Sequence, residues 1–370
     1  MNNKYFTEIV DSYVAGRMDM TKQYTDSELK ELIQQVALEL FERIPIGVVN
    51  PEAVTTEVYN NKKKSGLIQP LLDDDTVNEI MINGTDGIYV EKSGTLIEYG
   101  VRYSDKDALF NTVQMMLSWA NRTVNESNPI VDARLANGSR INVVLPPVAV
   151  NGPIVTVRKF RDTQFTMEDF IARGMLSRRQ SQYLIQCIAH RKNIIISGAT
   201  SSGKTTFLNV LAGYIPITKR IITVEDTVEL RLTQPNVVRL ETRNANTEGR
   251  GEIRMRDLIK AALRMRPDHL IIGEVRDESA LDMLTALCTG HDGSMSTAHA
   301  NSAADVLLRL ETMALWEGHV SSTAIKQMIV SGVHVVVQLD RTESSERIVR
   351  EIVEVVGYED GKILLRPAAI

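Results

Sequence analysis

The chain has 370 residues, enough for two or three domains that each bury a sizeable core, which excludes a single small binding module. Apolar residues make up 43% and charged residues 24%, an ordinary globular balance that excludes a disordered or fibrous chain. Lys plus Arg (42) against Asp plus Glu (47) leaves a net charge of −5, which makes no bulk electrostatic case for a nucleic-acid or membrane partner, although a local basic patch stays open.

In chain order, the start MNNKYFTEIVDSYV lacks the basic and apolar regions of a signal peptide, and no run approaches about 18 apolar residues. The chain is therefore expected to be cytoplasmic. From Thr25 to Arg43 the residues Leu29, Leu32, Ile33, Val36, Leu40 and Phe41 recur at helical spacing, which predicts an amphipathic helix capped by Asp26 or Ser27. Pro45, Gly47 and Pro51 end it, and a further short helix leads to the polar stretch NNKKKSG at 60–66. Lys62, Lys63 and Lys64 are read as solvated there, and a domain boundary is placed after a helical extension spanning 1–66.

Residues 67–160 change character. VNEIMING, GIYVEKSG and TLIEYG are short β-prone runs punctuated by Asn-Gly, Asp-Gly and Ser-Gly, RINVVLPP and IVTVRKF are two more strands, and a helix is inserted at 105–122. The pattern predicts a small α+β domain with a largely antiparallel sheet. A linker at 161–176 follows, and from 177 to 370 strands and helices alternate. NIIIS, IITV, VVRL, HLII, SMSTA and HVVVQL lie between helices at 204–213, 253–265, 278–288, 302–315 and 321–330, which predicts an α/β core with a buried, mostly parallel sheet. The tail is read as an antiparallel hairpin turning at Asp360-Gly361. Cys187 and Cys288 sit in apolar stretches and are read as two reduced, buried thiols; no CxxC exists to build a cysteine zinc site.

The strongest chemical signal is Gly198-Ala199-Thr200-Ser201-Ser202-Gly203-Lys204-Thr205, followed by Thr206. It fits the phosphate-loop pattern GxxxxGK[ST] and stands where that mechanism requires it, after an apolar strand and before a helix. Backbone N–H groups and the helix N-terminus would face phosphate oxygens, Lys204 would neutralise β/γ-phosphate charge and Thr205 would hold Mg²⁺. Hydrolysis needs an acidic group on the metal, a group that orients water and cations on the transferred phosphoryl. Glu274 ends the apolar strand HLIIG, and Glu225 and Asp226 end IITV, at the sheet edge where parallel sheets hold ligands. One of that second pair is open to a plainer role, capping the turn that follows. His291 and His299 flank SMSTA and are read either as ordinary histidines or as hydrogen-bonding sensors of the phosphate or the carboxylates.

The ordered set GATSSGKTT, VEDTVEL, LRMRPDHLIIGEVRD and TGHDGSMSTAHAN resembles the Walker A, Asp, Walker B and His boxes of the type II and type IV secretion ATPases. PIVDARLANGSRINVVLPP and TVRKF resemble most closely the CpaF-like branch, which assembles Tad/Flp pili. The resemblance implies a RecA-like P-loop core, preceded by a small α+β (PAS-like) domain and a helical extension. It implies ATP and Mg²⁺ as cofactors, with Glu225 and Glu274 as the catalytic carboxylates, Glu225 the better candidate to orient water and Glu274, with Thr205, to support the metal. It further implies that His291 and His299 couple nucleotide state to the sheet, and that Arg140 and Arg158 stabilise γ-phosphate charge. By the same resemblance, six subunits form a ring at the inner face of the cytoplasmic membrane and act on an integral-membrane platform, with 161–177 as the hinge. Two cysteines cannot build the four-cysteine zinc module common in type II and pilus-extension branches. The alternatives are a conjugation-type ATPase moving DNA or effector protein, a nucleotide-gated scaffold without turnover, and a helicase-like nucleic-acid motor.

Overall fold

The computed structural model describes every residue except 1–2, 19–23, 44–49, 64, 93–94, 121, 136, 161–164, 244, 246–249 and 343–345. Pro45, Gly47, Lys64 and the first four positions of the expected linker therefore lie outside the described residues, as do the side chains of Lys62 and Lys63. The chain divides into two compact units, 1–162 and 163–370.

The first unit opens with three helices, α1 (Asn3–Arg17), α2 (Asp26–Arg43) and α3 (Pro51–Lys63). They share a core of Phe6, Val10 and Val14 from α1, Leu29, Ile33, Val36 and Leu40 from α2, and Val54 and Val58 from α3, spacings that put each set on one helix face. The cap of α2 is Thr25 rather than Asp26 or Ser27. Its hydroxyl accepts from Glu28 N–H at 3.3 Å while Glu28 Oε2 accepts from Thr25 N–H at 2.8 Å, a reciprocal pairing that satisfies two amide donors at once.

After a short 3₁₀ turn at Gly66–Ile68 and α4 (Gln69–Asp73) come β1 (Val77–Asn83), β2 (Gly87–Lys92), β3 (Thr95–Glu98), α5 (Lys106–Trp119), β4 (Ile130–Arg134), β5 (Arg140–Val144) and β6 (Ile154–Arg158). The strands form one antiparallel sheet in the order β3-β2-β1-β6-β5-β4. Alternate residues Ile80, Ile82, Ile88, Val90, Ile141, Val143, Val155 and Val157 share a core with Leu109, Val113, Met116 and Leu117 of α5. Strand β4, at the sheet edge, has no fully buried residue and thus no apolar alternation to announce it.

The second unit holds α6 (Met167–Ala172), α7 (Arg178–Ala189), β7 (Ile194–Gly198), α8 (Lys204–Ala212), β8 (Ile221–Glu225), β9 (Val237–Glu241), α9 (Met255–Leu263), β10 (His269–Ile272), α10 (Ser279–Cys288), β11 (Met295–Ala298), α11 (Ala303–Leu315), α12 (Ser322–Gly332), β12 (Val335–Arg341), β13 (Arg347–Glu359) and β14 (Lys362–Pro367). Its sheet runs β14-β13-β12-β7-β11-β10-β8-β9, parallel from β12 to β9 and closed by the antiparallel β13–β14 hairpin. Helices cover both faces. Ile195, Ile222, Val224, Leu270 and Ile272 point into one core with α9–α12, and Ile194, Ile196, Ile221 and Ile271 into the other with α6–α8. Strands buried on both faces read as unbroken apolar runs for this reason.

Residues 165–177, read from sequence as linker and hinge, are built into the second core. Thr166 and Asp169 form a capping box on α6, Met167, Phe170, Met175 and Leu176 are buried, and Phe170 stacks on Phe207 of α8 at 5.6 Å. The cysteines differ from expectation in one respect. Cys187 is buried, but Cys288, at the end of α10, is exposed, with Sγ 3.3 Å from the Met328 carbonyl.

Candidate functional site

The loop between β7 and α8 is held in a shape that needs its glycines. Gly198 has φ +156°, and a Cβ there would stand 2.6 Å from both the Leu339 carbonyl oxygen and Ser202 Oγ. Gly203, at φ +93°, carries the chain into α8 through the left-handed region. Ser201 also has a positive φ, 61°, a conformation that non-glycine residues adopt sparingly. The buried Ser202 Oγ has no hydrogen-bond partner among the described residues. Lys204, also buried, turns back into the loop and donates to the Gly198 and Ala199 carbonyls at 3.0 and 2.9 Å. Burial brings its ammonium down to about 8, the nearby Glu274 carboxylate opposing. A curled loop without room for a Cβ, an orphaned hydroxyl, a buried lysine and a helix N-terminus together form a cradle suited to a phosphate chain. Ala199 and Thr200 are exposed on the loop, and Thr205 and Thr206 are half-buried on the first turn of α8.

Parallel register brings the acidic and histidine motifs to the same sheet edge. Glu225 is the last residue of β8, Glu274 follows β10 by two residues and His299 follows β11 directly, all at the carboxyl ends of strands parallel to β7. His299 joins the loop to the acidic strand end: Lys204 Nζ lies 3.2 Å from His299 Nδ1, and His299 Nε2 lies 2.8 Å from Glu274 Oε1. An ammonium only donates, so Nδ1 accepts and the ring proton sits on Nε2, the nitrogen near the carboxylate, although Glu274 Oε1 accepts no hydrogen bond among the described residues. Burial lowers the His299 pKa, and the Lys204 and Arg276 charges reinforce that against Glu274, so the ring is neutral in the chain Lys204–His299–Glu274. The second oxygen of Glu274 accepts from Arg276 at 2.7 Å.

Glu225 takes the capping role that its sequence position left open. Its Oε2 accepts from the Glu229 and Leu230 N–H groups at 2.8 and 3.0 Å. Its Oε1 is buried and accepts no hydrogen bond among the described residues. Burial pushes this carboxyl up, against those two backbone donors. A Cβ on Gly273 would come within 3.0 Å of Glu225 Cγ, which places the side chain against the end of β10. Asp226 is exposed. Among the described residues no group of three or more His, Cys, Asp or Glu could hold a metal by itself. A Mg²⁺ ion here would depend on Thr205, one carboxylate, phosphate oxygens and water, a ligand set that suits this cation.

Of the remaining predicted residues, one lies away from this sheet edge and two belong to the first unit. His291 precedes β11, at the sheet edge opposite the loop, where its Nδ1 lies 3.4 Å from Thr289 Oγ1. Arg140 and Arg158 belong to the first unit, where they are cross-strand partners on β5 and β6. Arg134 pairs with Arg140 in turn, giving a row of three arginines across adjacent strands. On its other side Arg158 pairs with Glu79 of β1, so the row ends on a carboxylate. Sequence reasoning passed over Arg134, Arg276 and Arg341. Arg276 was findable, since two residues on from Glu274 in an extended segment it returns to the same side. Arg341, which donates to the Ser201 carbonyl at 2.7 Å, is 140 positions away and carries no local signal.

The profile of the type II/IV secretion system protein family matches residues 61–357. The chain belongs to that family. Within the type II/IV secretion family it is 31% identical to the conjugal transfer protein TrbB of Rhizobium radiobacter, over 78% of this chain and 87% of that one. It is 29% identical to the type IV secretion system protein VirB11 of Bartonella henselae, over 76% and 89%. Among solved structures it is similar to the pilus retraction motor PilT, crystallised with ADP, at TM-score 0.58 and 21% identity over 82% of this chain and 83% of that one. It is also similar to the ATPase DotB of Legionella pneumophila, at TM-score 0.55 and 20% identity over 78% and 79%. Those two likenesses identify the core as the RecA-like fold of the family.

Proposed function

We propose that this member of the family is a Mg²⁺-dependent ATPase whose turnover drives a secretion or pilus apparatus through an integral-membrane platform. The observation that carries the proposal is the junction at one sheet edge of a glycine-dependent loop, a buried Lys204 and the His299–Glu274 pair. Bound with Mg²⁺, ATP supplies the phosphoryl group whose transfer to water releases free energy. Lys204 would exchange the Gly198 and Ala199 carbonyls for phosphate oxygens, and Thr205 would hold the metal with support from Glu274. Glu225 presents Oε1 to orient and polarise water, its other oxygen being tied to the 229–230 turn, and Arg140 and Arg158 supply cations for the transferring phosphoryl. His299, sharing contacts with Lys204 and Glu274, reports withdrawal of the lysine to the acidic strand end.

For the load, the names of TrbB and VirB11 support a conjugation-type IV apparatus as much as the pro-pilus motifs of 128–160 support a Tad/Flp pilus. The two share one motor: a ring of six subunits at the inner face of the cytoplasmic membrane. No helix among the described residues is long and apolar enough to cross a membrane, which fits a motor that works through a separate membrane partner. The test is phosphate release by the purified chain. Wild type should turn over ATP only with Mg²⁺, and Lys204→Ala should lose both binding and hydrolysis; substantial turnover in Lys204→Ala would remove the phosphate-loop assignment.

A further inference from the structure

The end of the β12–β13 hairpin is built against the phosphate loop at three points. Leu339 of β12 is the register partner of Gly198, with its carbonyl oxygen 2.6 Å from where a Gly198 Cβ would be. Two residues on, a terminal guanidinium nitrogen of Arg341 donates to the Ser201 carbonyl at 2.7 Å. Across the hairpin, Arg347 is the register partner of Arg341, and its Cδ lies 3.2 Å from the position of a Gly203 Cβ. The carboxylate beside Arg341, Asp340, is engaged by the Arg341 backbone N–H and by the Arg350 guanidinium, while the Arg341 side chain reaches the loop. The three contacts fall on the first glycine, the apex and the last glycine of the loop.

The apex contact acts on a strained residue. Ser201 holds a left-handed φ of 61°, which persists only where surrounding structure imposes it. In a planar peptide the C=O and the following N–H point to opposite sides. Gripping the Ser201 carbonyl from outside therefore turns the Ser202 N–H inward, where it now reaches Ala199 O at 3.3 Å. Resting on the nucleotide reading above, we infer that Arg341 is a positioning residue for ATP: it fixes the loop apex in its phosphate-receiving shape before ligand arrives, with the Arg347 stem as the wall behind Gly203. Ordering the loop in advance removes that cost from binding, so the effect falls on affinity rather than on the chemical step.

The experiment compares full-length wild type, Arg341→Ala and Arg341→Lys by two readouts. The first is amide hydrogen exchange of residues 198–206 in protein without nucleotide; the second is the Kd for a fluorescent ATP analogue, alongside steady-state kinetics. Arg341→Ala should exchange faster in the loop and weaken analogue binding by about 10-fold, with KM rising in step and kcat holding within about twofold. Arg341→Lys, which still offers a cationic donor to one carbonyl, should recover most of both effects. Unchanged loop exchange and unchanged Kd in Arg341→Ala would overturn the inference. A fall in kcat at constant KM, or an equal defect in Arg341→Lys, would overturn it as well. If wild type binds no ATP analogue the nucleotide reading itself fails, and the exchange comparison still decides whether Arg341 sets the loop.

Discussion

At the level of single residues, Lys204 links the loop to the pH at which it works. In the free protein burial brings its ammonium down to about 8, whereas phosphate oxygens favour the charged form. On the proposed function the free lysine is largely neutral above that pH and the nucleotide-bound one protonated, so binding should take up a proton and affinity should fall as pH rises towards the ordinary lysine value of about 10.4. Calorimetry at about pH 9, in buffers of different ionisation enthalpy, should register uptake approaching one proton, and at about pH 6 almost none from this group. Glu225 shows how one side chain divides its work. Tied by Oε2 to the backbone of the turn after β8, it keeps Oε1 buried and available to a donor such as water. The loop lysine and the two glutamates were legible from residue type and motif position, because the lysine opens the helix after the glycine loop and each glutamate stands at or just past a strand end. The neutral tautomer of His299 was not, since it follows from which atoms meet Nδ1 and Nε2.

At the level of elements, the apolar runs IIIS, IITV and HLII become buried parallel strands, and their parallel register carries Ser197, Glu225 and Glu274 to one edge. The same register sends His291 to the opposite edge, because it precedes the strand that His299 follows. Segment 165–177 is where the resemblance places the hinge. Four of its apolar side chains nevertheless join the second core, with Phe170 stacked on Phe207 of α8. Phe170→Ala should therefore cost about 3 kcal/mol or more through the cavity it leaves, seen as a lower urea midpoint for the unit spanning 163–370. A tether would tolerate that change with little shift. Strand β4 was missed for the complementary reason, since an edge strand without a fully buried face shows no period of two.

At the level of the whole molecule, the proposed chemistry draws on both units. Arg140 and Arg158 stand opposite one another on β5 and β6, with Arg134 continuing the row. Arg140→Ala and Arg158→Ala should leave ATP binding mostly intact and lower turnover, by a factor on the order of 10³ if each acts on the transferring phosphoryl. Equilibrium binding measured beside phosphate release separates these effects, and near-normal rates in both variants would remove the arginines from the mechanism. By itself the sequence determined the class of fold, the phosphate loop, the strand-end carboxylates and membership of the secretion family's motif pattern. Those features depend on local periodicity and on residue types at fixed short spacing. Only the tertiary structure decided that His299 bridges Lys204 and Glu274, that Glu225 splits its two oxygens, that Phe170 belongs to the second core and that Arg341 grips Ser201. Each of those contacts joins segments distant in the chain, and it is the parallel stacking of strands that makes them neighbours.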